Sequence, residues 1–519
     1  MNNFNEEKGI SFGLILLYLC LYRFDVKKRN LEMKLDLSDQ TLLTSKNYLN
    51  GTWIDSDDGE VLNVDNPADG KSFAFVAKCG RAETSRMIDA AHKAQKTWSK
   101  SSVKERANLL NNWFDLVMAN KEDLSKILTF EQGKPISEAR AEIVYGANYI
   151  QWFAEESKRV YGDIIAPPSN DKRIMVIKQP IGVVACITPW NFPNAMLTRK
   201  IAPAIAAGCA VVCKPANATP LSALALVILA ERAGFPPGLI NIVTGKTNEI
   251  GAEMTSNSLV RKLTFTGSTP VGKKLITDCA QTVKRTSMEL GGNAPFIIFD
   301  DADIAEAIKG VMISKYRNAG QTCVCTNRIL VQNSVYDEFL SKFKAECENL
   351  VVGNGLGEET TIGPLINRKA AADVKDLIED AKSKGAISEL GEKNNAYGDC
   401  YVEPTILSNI NTSMRVFREE IFGPVAPIIK FESEDEAVEL ANKTEFGLAA
   451  YFYSRDIGRI YRVSEALEFG IVGVNEGIIS NEMAPFGGIK ESGNGREGSK
   501  YGLDDYLEIK YLCIGGIDQ

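Results

Sequence analysis

From about Tyr48 onward, apolar positions recur with a helical period in some stretches and gather into short β-rich runs in others. The helical spacing predicts amphipathic helices over 82–96, 102–118 and 222–233. Between them, apolar runs at 182–188, 210–214, 241–244, 262–266 and 296–299 read as buried strands. A second series follows, with a helix over 303–318, a strand over 328–331 and helices over 335–350 and 370–384. Strands separated by helices of roughly 10–15 residues argue for βαβ units and a parallel sheet. The chain therefore reads as an α/β protein of two α/β domains, with no internal repeat or coiled coil and a polar loop at 391–399.

The N-terminus departs from this pattern. A run of 13 apolar residues from Ile10 to Tyr22 falls short of the roughly 17–25 that span a membrane. Glu6 and Glu7 spoil the basic region of a secretory signal, and no small-residue cleavage site follows. Residues 1–32 are expected to lie outside the fold, with Met33 a candidate start. Expression from Met33 should leave folding and activity unchanged.

Composition narrows the chemistry. The 519 residues carry 59 Lys+Arg against 67 Asp+Glu, a net charge of −8, the wrong sign for a nucleic-acid footprint. There is one histidine, His92, so a two-histidine metal site cannot be built and a Ser-His-Asp triad would have to use that residue. The 11 cysteines are odd in number, dispersed and without a CxxC pair. They suit reduced thiols in a cytoplasmic compartment better than a disulfide or zinc framework. Acid–base work then falls to carboxylates, lysines or thiols, with no metal expected.

Four segments carry candidate chemistry. Residues 267–274, GSTPVGKK, follow a predicted strand and open a helix. Lys274 replaces the hydroxyl that magnesium needs in a phosphate loop, leaving a glycine turn that seats a diphosphate with backbone amides and Ser268, or simply connects strand to helix. Cys323, in NAGQTCVC, lies in a polar turn after a helix and is expected to be more accessible than Cys209 or Cys213. Most intracellular cysteines are inert; without a histidine, this one needs dipoles, a cation or a carboxylate for activation. Glu289 is flanked by Met288 and Leu290, which favours a partly buried carboxyl with a raised pKa suited to activating water over a solvated charge. Asn191, in the rigid turn TPWNFP at 188–193, is a candidate amide donor to an oxyanion.

Together these motifs resemble the aldehyde dehydrogenase superfamily from about Met33 to the C-terminus: TPWNFP at 188–193, KPAN at 214–217, FTGST at 265–269, MELGGNAP at 288–295, GQTCVC at 320–325, EEIFGP at 419–424 and PFGG at 485–488. Within it, NAGQTCVCTNR at 318–328, EGIISNEMAPFGGIKESG at 476–493 and GREGSKYG at 495–502 are similar to the succinate-semialdehyde dehydrogenases. The resemblance implies attack by Cys323 on an aldehyde, an oxyanion held by the Asn191 amide and the Cys323 N–H, hydride transfer to NAD(P), and hydrolysis of the thioester by water that Glu289 activates. It places Trp190 and Asn191 beside the cofactor, Lys214, Pro215, Ala216 and Asn217 at the adenosine ribose, and Gly267 and Ser268 at the diphosphate. Leu290 is placed at the nicotinamide half, with Glu420 and Phe422 at its ribose. Asn217 stands where NAD-preferring members frequently carry glutamate, so NADP is expected to be accepted and preferred.

Arg199, Arg317 and Ser480 occupy the positions this subfamily uses for the distal carboxylate of its semialdehyde; without the resemblance both arginines read equally well as solvated helix charges. The subfamily's CVC pattern makes Cys325 a candidate redox partner of Cys323. The implied architecture is a Rossmann-type cofactor domain (33–161 and 180–290, with a return at 483–502), an α/β catalytic domain (291–482) and a small oligomerisation β element (162–179 and 503–519). A homodimer or homotetramer acting in 4-aminobutyrate breakdown follows, with no nucleic-acid or membrane partner. The alternatives are a related substrate such as glutarate semialdehyde, or a catalytically silent nucleotide-binding homologue.

Overall fold

The computed structural model describes residues 35–391 and 397–517. The expectations for residues 1–32 and for the centre of the 391–399 loop lie outside them.

An 8-stranded sheet contains a parallel core ordered Arg285–Glu289, Val260–Thr266, Val183–Ile187, Ala210–Lys214 and Ile240–Ile242. Its outer strands, Gly493–Asn494 at one edge and the hairpin of Asn47–Leu49 and Thr52–Ile54 at the other, are antiparallel. Strand order reverses between Val183–Ile187 and Val260–Thr266, and in open α/β sheets ligands bind beyond the carboxyl ends of the strands at that point. A 7-stranded sheet, built from strands between Ile387–Leu390 at one edge and Ile471–Val474 at the other, has its own core. The strands Asp163–Ile165, Arg173–Pro180 and Leu507–Ile514 form a separate 3-stranded antiparallel sheet.

Most expected elements are present, with ends shifted by no more than three residues. The helices Lys121–Gln132 and Ile136–Glu156 escaped the periodicity reading. In Ile136–Glu156, Glu142 and Glu156 are buried alongside its apolar residues, which blurs the polar–apolar contrast that the reading depends on. The helix expected over 303–318 ends at Tyr316. Asn318 (φ 53°), Ala319 (φ 54°) and Gly320 (φ 78°) are left-handed, and Asn318 N donates to Glu138 Oε2 at 2.7 Å, so the chain leaves the helix and turns toward Cys323.

Candidate active site

Loops from the carboxyl ends of three strands meet the turn that precedes Thr326–Gln332. Strand Val183–Ile187 runs into Thr188–Pro193. Strand Val260–Thr266 runs into Gly267 and Ser268, the N-cap of helix Thr269–Ala280. Strand Arg285–Glu289 runs into Leu290–Asn293, where a side chain at Gly292 would strike the Cys323 carbonyl at 2.3 Å. Only glycine permits that approach. The loops enclose a cavity of about 260 Å³ lined by Cys323, Asn191, Trp190, Gly267, Ser268, Leu290, Glu420, Phe422, Arg199, Arg317 and Ser480.

Cys323 is half-buried, whereas Cys209 and Cys213 are buried. Burial pushes its thiol up to about 12, with Glu420 and Glu289 adding to the shift and Arg199 and Arg317 opposing it. Asn191 is oriented by two bonds: its Oδ1 accepts from Phe192 N at 3.1 Å and its Nδ2 donates to Gln321 O at 3.1 Å. One Nδ2 hydrogen remains for the cavity.

Glu289 is buried, and neither carboxyl oxygen has a hydrogen-bond partner among the described residues. Burial holds it well above the ordinary carboxyl range, and Glu497 reinforces the shift. It stands just behind the cavity wall rather than in it. A side chain at Gly487 of PFGG would lie 2.9 Å from Glu289 Oε1, so that glycine leaves the carboxyl room.

Of the residues assigned to a dinucleotide, Trp190, Asn191, Gly267, Ser268, Leu290, Glu420 and Phe422 line this cavity. Trp190 and Phe422 meet edge to face at 5.5 Å. Glu420 Oε1 accepts from Gly292 N at 2.9 Å, and burial raises its carboxyl to about 7. Thr266 Oγ1, on the cavity wall, is buried and unpartnered, and helix Thr269–Ala280 presents its N-terminus beside Ser268. These features fit a diphosphate and a polar ribose. Lys214, Pro215, Ala216 and Asn217 lie away from this cavity, beyond the end of the neighbouring strand. Burial lowers Lys214 to about 8; its Nζ reaches Asn217 Oδ1 at 3.4 Å, while Asn217 Nδ2 donates to Gly245 O at 2.9 Å.

The two arginines differ. Arg199 is 1% exposed, so it is no solvated helix charge; it pairs with Glu497 at 2.9 Å and donates to Tyr145 OH at 3.1 Å. Arg317, over the Phe192 ring at 5.3 Å, has no ion-pair partner among the described residues. Cys325 does not join the cavity. Its thiol donates to Lys315 O and Thr326 O at 3.4 and 3.3 Å and lies 3.5 Å from Lys315 Nζ.

The aldehyde dehydrogenase family profile matches residues 53–512, most of the chain and all of this site. The chain belongs to the aldehyde dehydrogenase family. It is 57% identical over 485 residues to a 3-sulfolactaldehyde dehydrogenase of Pseudomonas putida (93% of this chain, 100% of that one). It is 56% identical over 483 residues to a glutarate-semialdehyde dehydrogenase of Pseudomonas aeruginosa (93% and 100%). To the succinate-semialdehyde dehydrogenase [NADP(+)] of Escherichia coli (strain K12) it is 56% identical over 479 residues (92% and 99%). A crystal structure of succinate-semialdehyde dehydrogenase from Burkholderia pseudomallei superposes with a TM-score of 0.92 at 55% identity, covering 93% of this chain and 100% of that one.

Several side chains around this aldehyde dehydrogenase site carried no signal of their own in the sequence. Glu497 accepts from buried Lys200 at 2.5 Å besides pairing with Arg199. Lys134 and Glu142 form a second buried pair at 2.5 Å. Buried charges almost always come in pairs, but partners across the fold are invisible to periodicity.

Proposed function

We propose that this aldehyde dehydrogenase oxidises succinic semialdehyde to succinate, with NADP as the preferred oxidant. The observation that carries the substrate class is Arg317: a cavity guanidinium with no carboxylate partner among the described residues, on the segment leading to Cys323, with Ser480 on the same cavity. A guanidinium fork selects carboxylates by geometry as well as charge. Arg199, shared with Glu497, contributes a weaker pull. The fit of Lys214 and Asn217 to a ribose 2′-phosphate supports NADP, because a neutral amide beside an ammonium replaces a repelling carboxylate.

Cys323 Sγ releases its proton to solvent water as it adds to the aldehyde carbon, and the carbonyl oxygen takes the negative charge. The free Nδ2 hydrogen of Asn191 and the Cys323 N–H stabilise that oxygen. Gly267, Ser268, Leu290, Glu420 and Phe422 hold the dinucleotide, which when bound supplies the hydride acceptor. The thioester left on Cys323 is attacked by water, whose proton passes to Glu289 after that side chain swings past Gly487 into the cavity. The raised pKa of Glu289 makes it a competent base.

A longer or sulfonated ω-anionic aldehyde is the second reading, favoured by the 3-sulfolactaldehyde and glutarate-semialdehyde relatives, because an arginine fork also accepts sulfonate oxygens. Absorbance assays of NADPH and NADH formation over succinic, glutaric and sulfonated aldehydes and an uncharged aldehyde decide among them. Equal kcat/KM for charged and uncharged aldehydes would refute the anionic class. Loss of all aldehyde-dependent reduction would favour a catalytically silent homologue.

The 8-stranded sheet is assigned to cofactor binding and the 7-stranded sheet to catalysis. The 3-stranded sheet exposes Ile164 (84%), Ile509 (73%) and Tyr511 (61%), which suits it to pack against further copies in a homodimer or homotetramer. Scattering in solution with and without a charge at Ile509 tests that assignment. No helix among the described residues is long and apolar enough to cross a membrane, and reduced thiols suit a cytoplasmic setting.

A further inference from the structure

We propose that Lys134, held by Glu142, is a positioning residue that presents the Asn191 amide to the oxyanion; this rests on the role given to Asn191 above. Lys134 touches no lining atom that reacts. Its side chain is fully buried, as is that of Glu142, and its Nζ donates to Glu142 Oε2 at 2.5 Å and to Asn191 O at 2.8 Å. The ammonium also stands 3.9 Å over the Phe192 ring. Glu142 Oε1 accepts from Asn194 N and Ala195 N at 3.0 and 3.2 Å. The pair therefore grips the 191–195 backbone at both ends, just where helix Ala195–Ala207 begins.

A buried ion pair adds little stability over apolar side chains of the same volume, so the placement of its donors and acceptors is the informative property. Those contacts close a ring. Lys134 N donates to Gln132 Oε1 at 2.9 Å, Gln132 Nε2 donates to Asn318 Oδ1 at 3.0 Å, and Asn318 Nδ2 returns to Asn191 O at 3.1 Å. Asn318 opens the left-handed turn that leads to Cys323, and buried non-glycine residues keep such a conformation only where their surroundings over-determine it. One frame thus holds both the oxyanion donor and the nucleophile's turn. An error of about 1 Å between them costs on the order of 100-fold in rate.

The test is single-turnover NADPH formation by full-length enzyme carrying Lys134→Met, and Lys134→Met with Glu142→Gln, which leaves no unpaired buried carboxylate. Alkylation of Cys323 by iodoacetamide serves as the control, because it consumes the thiol without forming an oxyanion. The expected result is a fall of roughly 10- to 100-fold in the NADPH step, little change in alkylation, and no further fall when the same changes are made in an Asn191→Ala background. An unchanged NADPH step, an equal fall in alkylation, or full additivity with Asn191→Ala would overturn the proposal. So would a double variant that cannot be obtained folded, which would make the pair structural. An Asn191→Ala enzyme as fast as the wild type removes the oxyanion assignment and this inference with it. A slow Asn191→Ala beside an unaffected Lys134→Met removes this inference alone.

Discussion

The Arg199 guanidinium lies 2.9 Å from the Glu497 carboxylate, with both side chains buried. That pairing separates two arginines that the sequence presents as equals. Replacing Arg317 by Met removes the uncommitted positive charge, and a charge-assisted contact of about 1.5–3 kcal/mol corresponds to roughly 10- to 100-fold in KM for succinic semialdehyde. KM for an uncharged aldehyde of similar length should barely move. Steady-state kinetics with the two substrates check this, and equal effects would remove Arg317 as the anchor.

Glu289 is buried with both oxygens free of hydrogen bonds among the described residues, and this constrains its role. Glu289→Gln keeps the volume but cannot take a proton from water, so acylation should proceed and hydrolysis stall. The expected record is a burst of about one NADPH per functioning Cys323, followed by steady turnover reduced roughly 10²- to 10⁴-fold. Stopped-flow absorbance and mass detection of the acylated enzyme would show it. A variant with no burst would place Glu289 in an earlier step.

Lys214 offers a pH signature. Burial lowers its amine to about 8, so below that pH the side chain is an ammonium that attracts a 2′-phosphate, and above it a neutral amine that does not. Cys323 and Glu289 serve both cofactors, so their titrations cancel in the ratio of kcat/KM for NADP to that for NAD. That ratio should be high at pH 6–7, fall as pH rises through about 8, and lie flat across the range in Lys214→Met. A ratio independent of pH in the wild type would refute the role of Lys214.

Much of the site was legible because its parts are local. TPWNFP, GQTCVC and MELGGNAP each lie at a strand end, and Cys323, Asn191 and Leu290 do meet at one cavity, with Glu289 outside its lining. The residues that escaped are those defined by a partner far along the chain. Lys134 meets Asn191 57 positions away and Lys200 meets Glu497 297 positions away, and neither spacing has a periodic trace. Where the helix after Asp303 stops was equally hidden, because Ala319 is a good helix former that the surrounding turn forces left-handed. His92 lies on helix Arg81–Trp98, outside the cavity, consistent with a mechanism that uses a thiol, a carboxylate and an amide; His92→Gln should leave turnover nearly unchanged.

Val283 marks a site where stability has been left unused. It is 91% exposed and has φ 51°, between helix Thr269–Ala280 and strand Arg285–Glu289. For a β-branched side chain that conformation is an outlier, costing about 1–2 kcal/mol, and nothing is gained by burial to offset it. Asparagine tolerates left-handed backbone far better and keeps a side chain that limits the unfolded state, unlike glycine. Val283→Asn should therefore raise the unfolding free energy by about 1 kcal/mol, seen as a higher urea midpoint with an unchanged slope at fixed protein concentration. Because the residue lies on the surface away from the cavity, kcat and KM should stay as they are. Val283→Ile, which keeps the branched carbon, should show no gain; an equal rise in both variants would mean that side-chain polarity or size, rather than backbone strain, sets the stability at this turn.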